Sequence, residues 1–268
     1  MELTKIQDYI YSIFVEFDRI CKKHNLKYSM EGGTLLGAVK YQGFVPWDDD
    51  IDVIMFRDDY EKFLKVAPSE LGKDFVLQSF NNIPNFPLNY AKLCFNGTKI
   101  CDYAYSHIKE MNHGVFMDIF PVDYVKKETL KKHCRSVGVL TGARTVKVKY
   151  KVKLKGFKLF VYKILALLPI KVLNRQINKV CTRYNKDGTE YIYEVCNSNR
   201  KFAPMPSSMY FEHTTLKFRD GEFMALKKYD EFLKSRFGEN YMTDMPSEEK
   251  RIPSHHKTVI LIEQEKSD

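Results

Sequence analysis

Between residues 3 and 23, apolar side chains recur at Ile6, Ile10, Ile13, Phe14, Phe17 and Ile20, with Lys, Asp, Glu and Arg between them. That spacing predicts an amphipathic helix. A short strand is expected at 26–30, then a Gly32-Gly33 turn and a helix over 34–40 that Gly43 and Pro46 bring to an end. Residues 50–56 are so apolar beyond their first positions that they predict a strand buried on both faces. A helix over 57–67 and strands at 75–80, 90–95 and 115–120 follow, so the strands gather before Val125. This order predicts an α/β fold in which a mixed sheet is flanked by helices.

After Val125 the pattern becomes helical and basic up to about residue 186, although 147–155 alternates Lys with Val, Tyr and Leu and reads equally well as a strand. The apolar run 157–173 is interrupted by Lys158, Lys163, Pro169 and Lys171, which makes it too short and too broken to span a bilayer. It predicts an interfacial or core helix. A strand at 215–218, a turn at Asp220-Gly221 and a helix over 228–237 with Tyr229, Phe232 and Leu233 facing inward precede a polar tail. The expected division is a catalytic core at 1–125, a basic helical insertion or appendage at 126–186, and a region at 187–268 that completes the domain and its acceptor side.

Composition supports a folded chain: 44% of the 268 residues are hydrophobic and 14% aromatic, with no low-complexity linker. The net charge of +9 hides an asymmetry. Residues 126–180 hold 16 Lys/Arg and a single acid, Glu128, so the remainder is net acidic. A localised anionic partner is expected, either an anionic membrane surface or a polyanionic glycolipid. Nucleic acid is disfavoured, since no base-reading module is evident and the acidic remainder would repel a phosphate backbone. The six cysteines, at 21, 94, 101, 134, 181 and 196, show no Cys-x-x-Cys spacing and read as reduced, mostly packed thiols. The N-terminus lacks the basic and apolar regions of an export signal, so a cytoplasmic location is expected, with peripheral attachment to the inner face of the plasma membrane through the basic stretch.

The chemistry concentrates at 31–53. Asp50 and Asp52 flank Ile51 at a strand start, so a period of two sets both carboxylates on one face while Ile51 and Val53 turn inward. Neighbouring carboxylates call for a hard cation such as Mg²⁺, with Mn²⁺ as a substitute. A Gly-Gly turn at a helix start offers backbone N–H groups to phosphate. Asp48 and Asp49 add negative potential, and Asp48 is equally suited to capping the Pro46-Trp47 turn. Asp118, between Met117 and Ile119, would be costly to bury without a cation, which makes it a third candidate, with Asp123 a weaker one. Lys92, between Ala91 and Leu93, is a candidate for balancing phosphate charge or an ordinary edge lysine. Arg57 is suited to pairing with acidic neighbours in the first turn of its helix. Arg251, His255 and His256 form a cationic, proton-transfer-capable group, candidate substrate contacts near the C-terminus.

Gly-Gly-Thr-Leu-Leu-Gly-Ala-Val-Lys at 32–40, followed by Gly-Phe-Val-Pro-Trp-Asp-Asp-Asp-Ile-Asp-Val at 43–53, closely resembles the LicD family of bacterial phosphocholine transferases, relatives of fukutin and fukutin-related protein. The blocks at 57–63, 90–93, 115–123 and 248–256 resemble it too, so most of the chain is covered. The resemblance implies a nucleotidyltransferase-like fold, with Asp50, Asp52 and Asp118 as catalytic metal ligands and Gly32, Gly33 and Thr34 at the donor phosphate. It further implies a Mg²⁺-dependent transfer of a phosphocholine-type group from a CDP-linked donor to a hydroxyl of a cell-envelope glycan, such as a teichoic acid, lipopolysaccharide or capsule precursor. Two other readings stay open: nucleotidyl transfer from an NTP on the same fold, and a non-catalytic membrane-associated scaffold built on the basic stretch.

Overall fold

The structure, a computed structural model, describes residues 1–101, 105–149, 156–197, 202–248, 251–252 and 259–261. The chain opens with α1 (Leu3–Lys23), β1 (Ser29–Met30), α2 (Gly32–Tyr41), β2 (Asp52–Phe56) and α3 (Arg57–Glu70). It continues through β3 (Phe75–Gln78), β4 (Ala91–Phe95), β5 (Thr98–Ile100) and β6 (Phe116–Val125), and then α4 (Leu130–Lys147), α5 (Phe157–Leu165) and α6 (Ile170–Cys181). The last third carries β7 (Tyr191–Tyr193), β8 (Met205–Pro206), α7 (Ser207–Tyr210), β9 (His213–Phe218), β10 (Gly221–Leu226), α8 (Tyr229–Phe237) and β11 (Val259–Leu261).

The central sheet has the order β1-β2-β6-β4-β3, and β7 and β8 extend it from the far end of β6. Among the described residues of this sheet only β2 and β6 run parallel, with Asp52 opposite Asp118; the other pairings are antiparallel. This is the mixed, helix-flanked, nucleotidyltransferase-like sheet that the motifs imply.

The apolar stripe of α1 is buried as its spacing predicts, from Ile6 to Cys21. Phe14 stacks on Phe223 with 4.1 Å between ring centroids, and Phe17 meets the edge of Tyr28 at 4.9 Å. Residues from all three expected stretches join one core: Ile54 and Ile119 from the first, Val137 and Ile177 from the second, Phe223 and Leu233 from the third.

Several expectations change. The Gly-Gly pair is the first turn of α2 itself, not a turn before it. The strand at 50–56 begins at Asp52, yet the alternation survives, because Ile51 and Val53 are fully buried while Asp50 and Asp52 are not. The run 157–173 divides into two helices, because Pro169 has no N–H to continue α5 and instead precedes the first turn of α6. Lys147 closes α4 and Val148 and Lys149 form a turn, while the rest of the alternating stretch, 150–155, lies outside the described residues. Cys21, Cys94, Cys134, Cys181 and Cys196 are buried free thiols and Cys101 is exposed.

Candidate active site

The site forms where the N-terminus of α2 meets the starts of β2 and β6. Gly32 has φ of +53°, a conformation that side chains with a Cβ resist, and it opens the helix there. A Cβ on Gly33 would stand 2.3 Å from Asp48 Oδ2, so only glycine admits that carboxylate so close to the helix start. The N-cap residue of α2, Glu31, makes no side-chain capping bond, and the helix start carries the N–H groups and partial positive charge that suit an anion. Thr34 is buried, and its Oγ1 accepts a hydrogen bond of 2.8 Å from the Asp52 backbone N–H. The Glu31 N–H in turn donates to the Asp52 carbonyl at 3.0 Å. Helix start and strand start are thereby locked together, and the structure gives Thr34 a role in placing Asp52.

Register brings in the other partners. Asp118 lies opposite Asp52 on β6 and opposite Lys92 on β4. Lys92 donates to Asp118 Oδ1 at 2.5 Å, and its ammonium also sits 3.1 Å from the Phe116 ring centroid. The cation that a buried Asp118 calls for is thus supplied within the chain. Asp52 is pushed well above the usual carboxylate range by burial, and then by the charges of Asp50, Asp118, Glu31 and Asp48.

That crowding of negative charge around Asp52 is what a divalent cation relieves, and the oxygen-only donor set suits Mg²⁺. Among the described residues no three carboxylate, His or Cys side chains are gathered as a complete ligand set. Mg²⁺ usually takes one or two carboxylates together with substrate phosphates, a requirement that Asp50 and Asp52 meet in kind and number.

Asp123 serves elsewhere. It is fully buried and accepts from Arg57 Nε at 2.8 Å, Arg57 Nη2 at 2.6 Å and Asn185 at 2.7 Å. Arg57 meets an acid of its own helix as well, Glu61 at 3.6 Å, but its close partner is Asp123, 66 positions away. Arg251 has its guanidinium 5.6 Å from the ring centroid of Trp47, the residue before Asp48, and its Nε donates to the Pro246 carbonyl. His255 and His256 lie outside the described residues.

A cleft of about 180 Å³ opens beside Asp52, walled by Glu31, Gly32, Phe120, Tyr193, Glu194, Asn197, Phe202 and Arg236. Local patterning missed most of these residues, because they come from β7, α8 and the irregular stretches around them and converge only after folding. Arg236 bridges the two glutamates, 3.1 Å from Glu31 and 3.3 Å from Glu194. Burial and the nearby Glu31 push Glu194 up to about 8; burial also raises Glu31 against the opposing pull of Arg236.

The family model described as LicD/FKTN/FKRP, nucleotidyltransferase domain, matches residues 25–138, which contain α2, β2, Lys92 and Asp118. The lipopolysaccharide cholinephosphotransferase LicD of Haemophilus influenzae is 32% identical over 268 aligned residues, covering 92% of this chain and 93% of that protein. Shorter matches join it to uncharacterised proteins of Rickettsia typhi, 39% identical over 59 residues (22% of this chain, 19% of that protein), and Rickettsia prowazekii, 37% over 76 residues (28% and 29%). With a relative of that identity aligned along nearly its whole length, this chain belongs to the LicD family.

Proposed function

We propose that the protein is a Mg²⁺-dependent phosphotransferase that moves a phosphocholine-type group from a CDP-linked donor to a hydroxyl of a cell-envelope glycan or its lipid-linked precursor. Its main support is the register that sets Asp52 opposite Asp118 beside the start of α2. The Haemophilus relative, named for cholinephosphate transfer to lipopolysaccharide, supports the choice of head group and acceptor class.

In this reading the α2 N–H groups of Gly33 and Thr34 receive the donor diphosphate. Asp50 and Asp52 would hold the ion, with Asp118 beside them, and Lys92 passes from Asp118 to a phosphate oxygen as the donor enters. The bound ion would neutralise the diphosphate. The acceptor oxygen attacks the phosphorus that carries the choline ester, and the bond from that phosphorus to the bridging oxygen breaks. CMP leaves with the bridging oxygen, and Asp118 takes the hydroxyl proton. Incubation with CDP-choline, Mg²⁺ and a lipopolysaccharide acceptor therefore releases CMP in step with choline incorporation. Unchanged donor after prolonged incubation would overturn the assignment.

The basic stretch supports a membrane-facing acceptor. Phe157, Phe160, Ile164 and Leu167 stand exposed on α5 and just beyond it, between the exposed Lys158, Lys163 and Lys171. Among the described residues no helix is long and apolar enough to cross a membrane. Apolar side chains ringed by lysines suit a helix resting in the interface of an anionic leaflet. Phosphatidylglycerol vesicles should retain the protein and 1 M salt (an ionic strength with a Debye length of about 3 Å) should release it, while Phe160→Asp should weaken retention. Equal recovery on phosphatidylcholine vesicles would reject this docking.

A further inference from the structure

The cleft beside Asp52 has a composition that phosphate and metal chemistry do not require. Three aromatic residues, Phe120, Tyr193 and Phe202, and two acids, Glu31 and Glu194, line it. Two acids face one guanidinium. Arg236 is fixed against both acids and stacked on Phe202, with 4.5 Å from its Cζ to the ring centroid, and on Phe232 at 4.8 Å. Its side chain is only 7% exposed, and its Nε has no hydrogen-bond partner among the described residues.

A quaternary ammonium carries a diffuse positive charge and no N–H. Hydrogen-bond acceptors alone cannot select it over a primary amine, whereas aromatic faces can. Choline also keeps its cation two carbons from the phosphate ester, so its pocket must adjoin the phosphate site. This cleft does so, since Gly32 and Asp52 form one of its walls.

We propose that the cleft formed by Phe120, Tyr193, Phe202, Glu31 and Glu194 is the head-group pocket of the donor, and that it selects a quaternary ammonium over a primary one. This rests on the phosphocholine reading, but it is testable apart from catalysis.

Calorimetric titration of the full chain with phosphocholine and with phosphoethanolamine provides the test, with transfer from CDP-choline assayed separately. The wild type should bind phosphocholine more tightly. Phe202→Leu and Tyr193→Leu should each weaken phosphocholine about 2- to 30-fold, the span that cation–π contacts of about 0.5–2 kcal/mol correspond to, with a much smaller loss for phosphoethanolamine. Phe202→Tyr and Tyr193→Phe, which keep the rings, should restore affinity. Wild-type protein that binds no phosphocholine, leucine variants with unchanged affinity, or equal losses for both ligands would overturn the pocket. Phosphocholine binding that follows this pattern without transfer would leave the pocket standing and remove the transfer reading instead.

Discussion

Asp52→Asn is expected to lower transfer on the order of 10³-fold, the scale of losing a group that stabilises charge in the transition state, while the chain stays folded. Asp52 is held far above its ordinary pKa by burial and by four neighbouring acids, so in the absence of a cation its charge opposes folding. A carboxyl whose pKa is raised on folding favours the native state most at pH below its unfolded value, and that contribution is lost as pH rises towards the folded value. Asparagine removes the penalty and keeps the shape, so thermal stability without metal should hold or rise at neutral pH even as turnover collapses. Near-normal turnover in Asp52→Asn, or a variant that fails to fold, would contradict the role given to this side chain.

The second large effect falls on stability. Arg57 and Asp123 form a bidentate buried pair, 5% and 0% exposed, that ties the first turn of α3 to β6; Arg57 Nη1 also lies 3.4 Å from Asn178 Oδ1 on α6. Removing one partner strands the other charge away from water. Arg57→Met should therefore cost about 3–5 kcal/mol in urea unfolding, and pairing it with Asp123→Leu should recover most of the loss. A loss of about 1 kcal/mol or less for the single variant, the scale of an exposed pair, would show that the pair is solvated. Because the pair sits at the far end of β6 from Asp118, the folded fraction of Arg57→Met should match the wild type when both are titrated with Mg²⁺.

These two sites were unequally legible in the sequence. Gly32, Gly33, Asp50 and Asp52 lie within 21 residues, where local spacing constrains geometry, and the burial alternation around Ile51 appears as the period of two predicts. Asp118 was visible as a carboxylate within an apolar strand. Its pairing with Lys92 depends on the register between β4 and β6, which no local pattern specifies. Arg57 has acids beside it in sequence, but its partner, Asp123, lies 66 positions away, and from the sequence Asp123 reads only as a weaker third carboxylate for the site. The head-group cleft was least visible, because Tyr193, Glu194, Phe202 and Arg236 carry no shared spacing and meet Glu31 only through folding. In the basic stretch composition was informative, whereas the break between α5 and α6 turned on the single residue Pro169.

The central claim is that a phosphorus atom travels with choline and leaves the nucleotide behind. CDP-choline labelled separately in choline, in the choline-linked phosphorus and in cytidine, incubated with Mg²⁺ and lipopolysaccharide, measures this directly. Choline and its phosphorus should appear together on the glycan, with all cytidine recovered as CMP and no transfer in Asp52→Asn. Cytidine label on the glycan would establish nucleotidyl transfer instead, and choline arriving without its phosphorus would contradict the account.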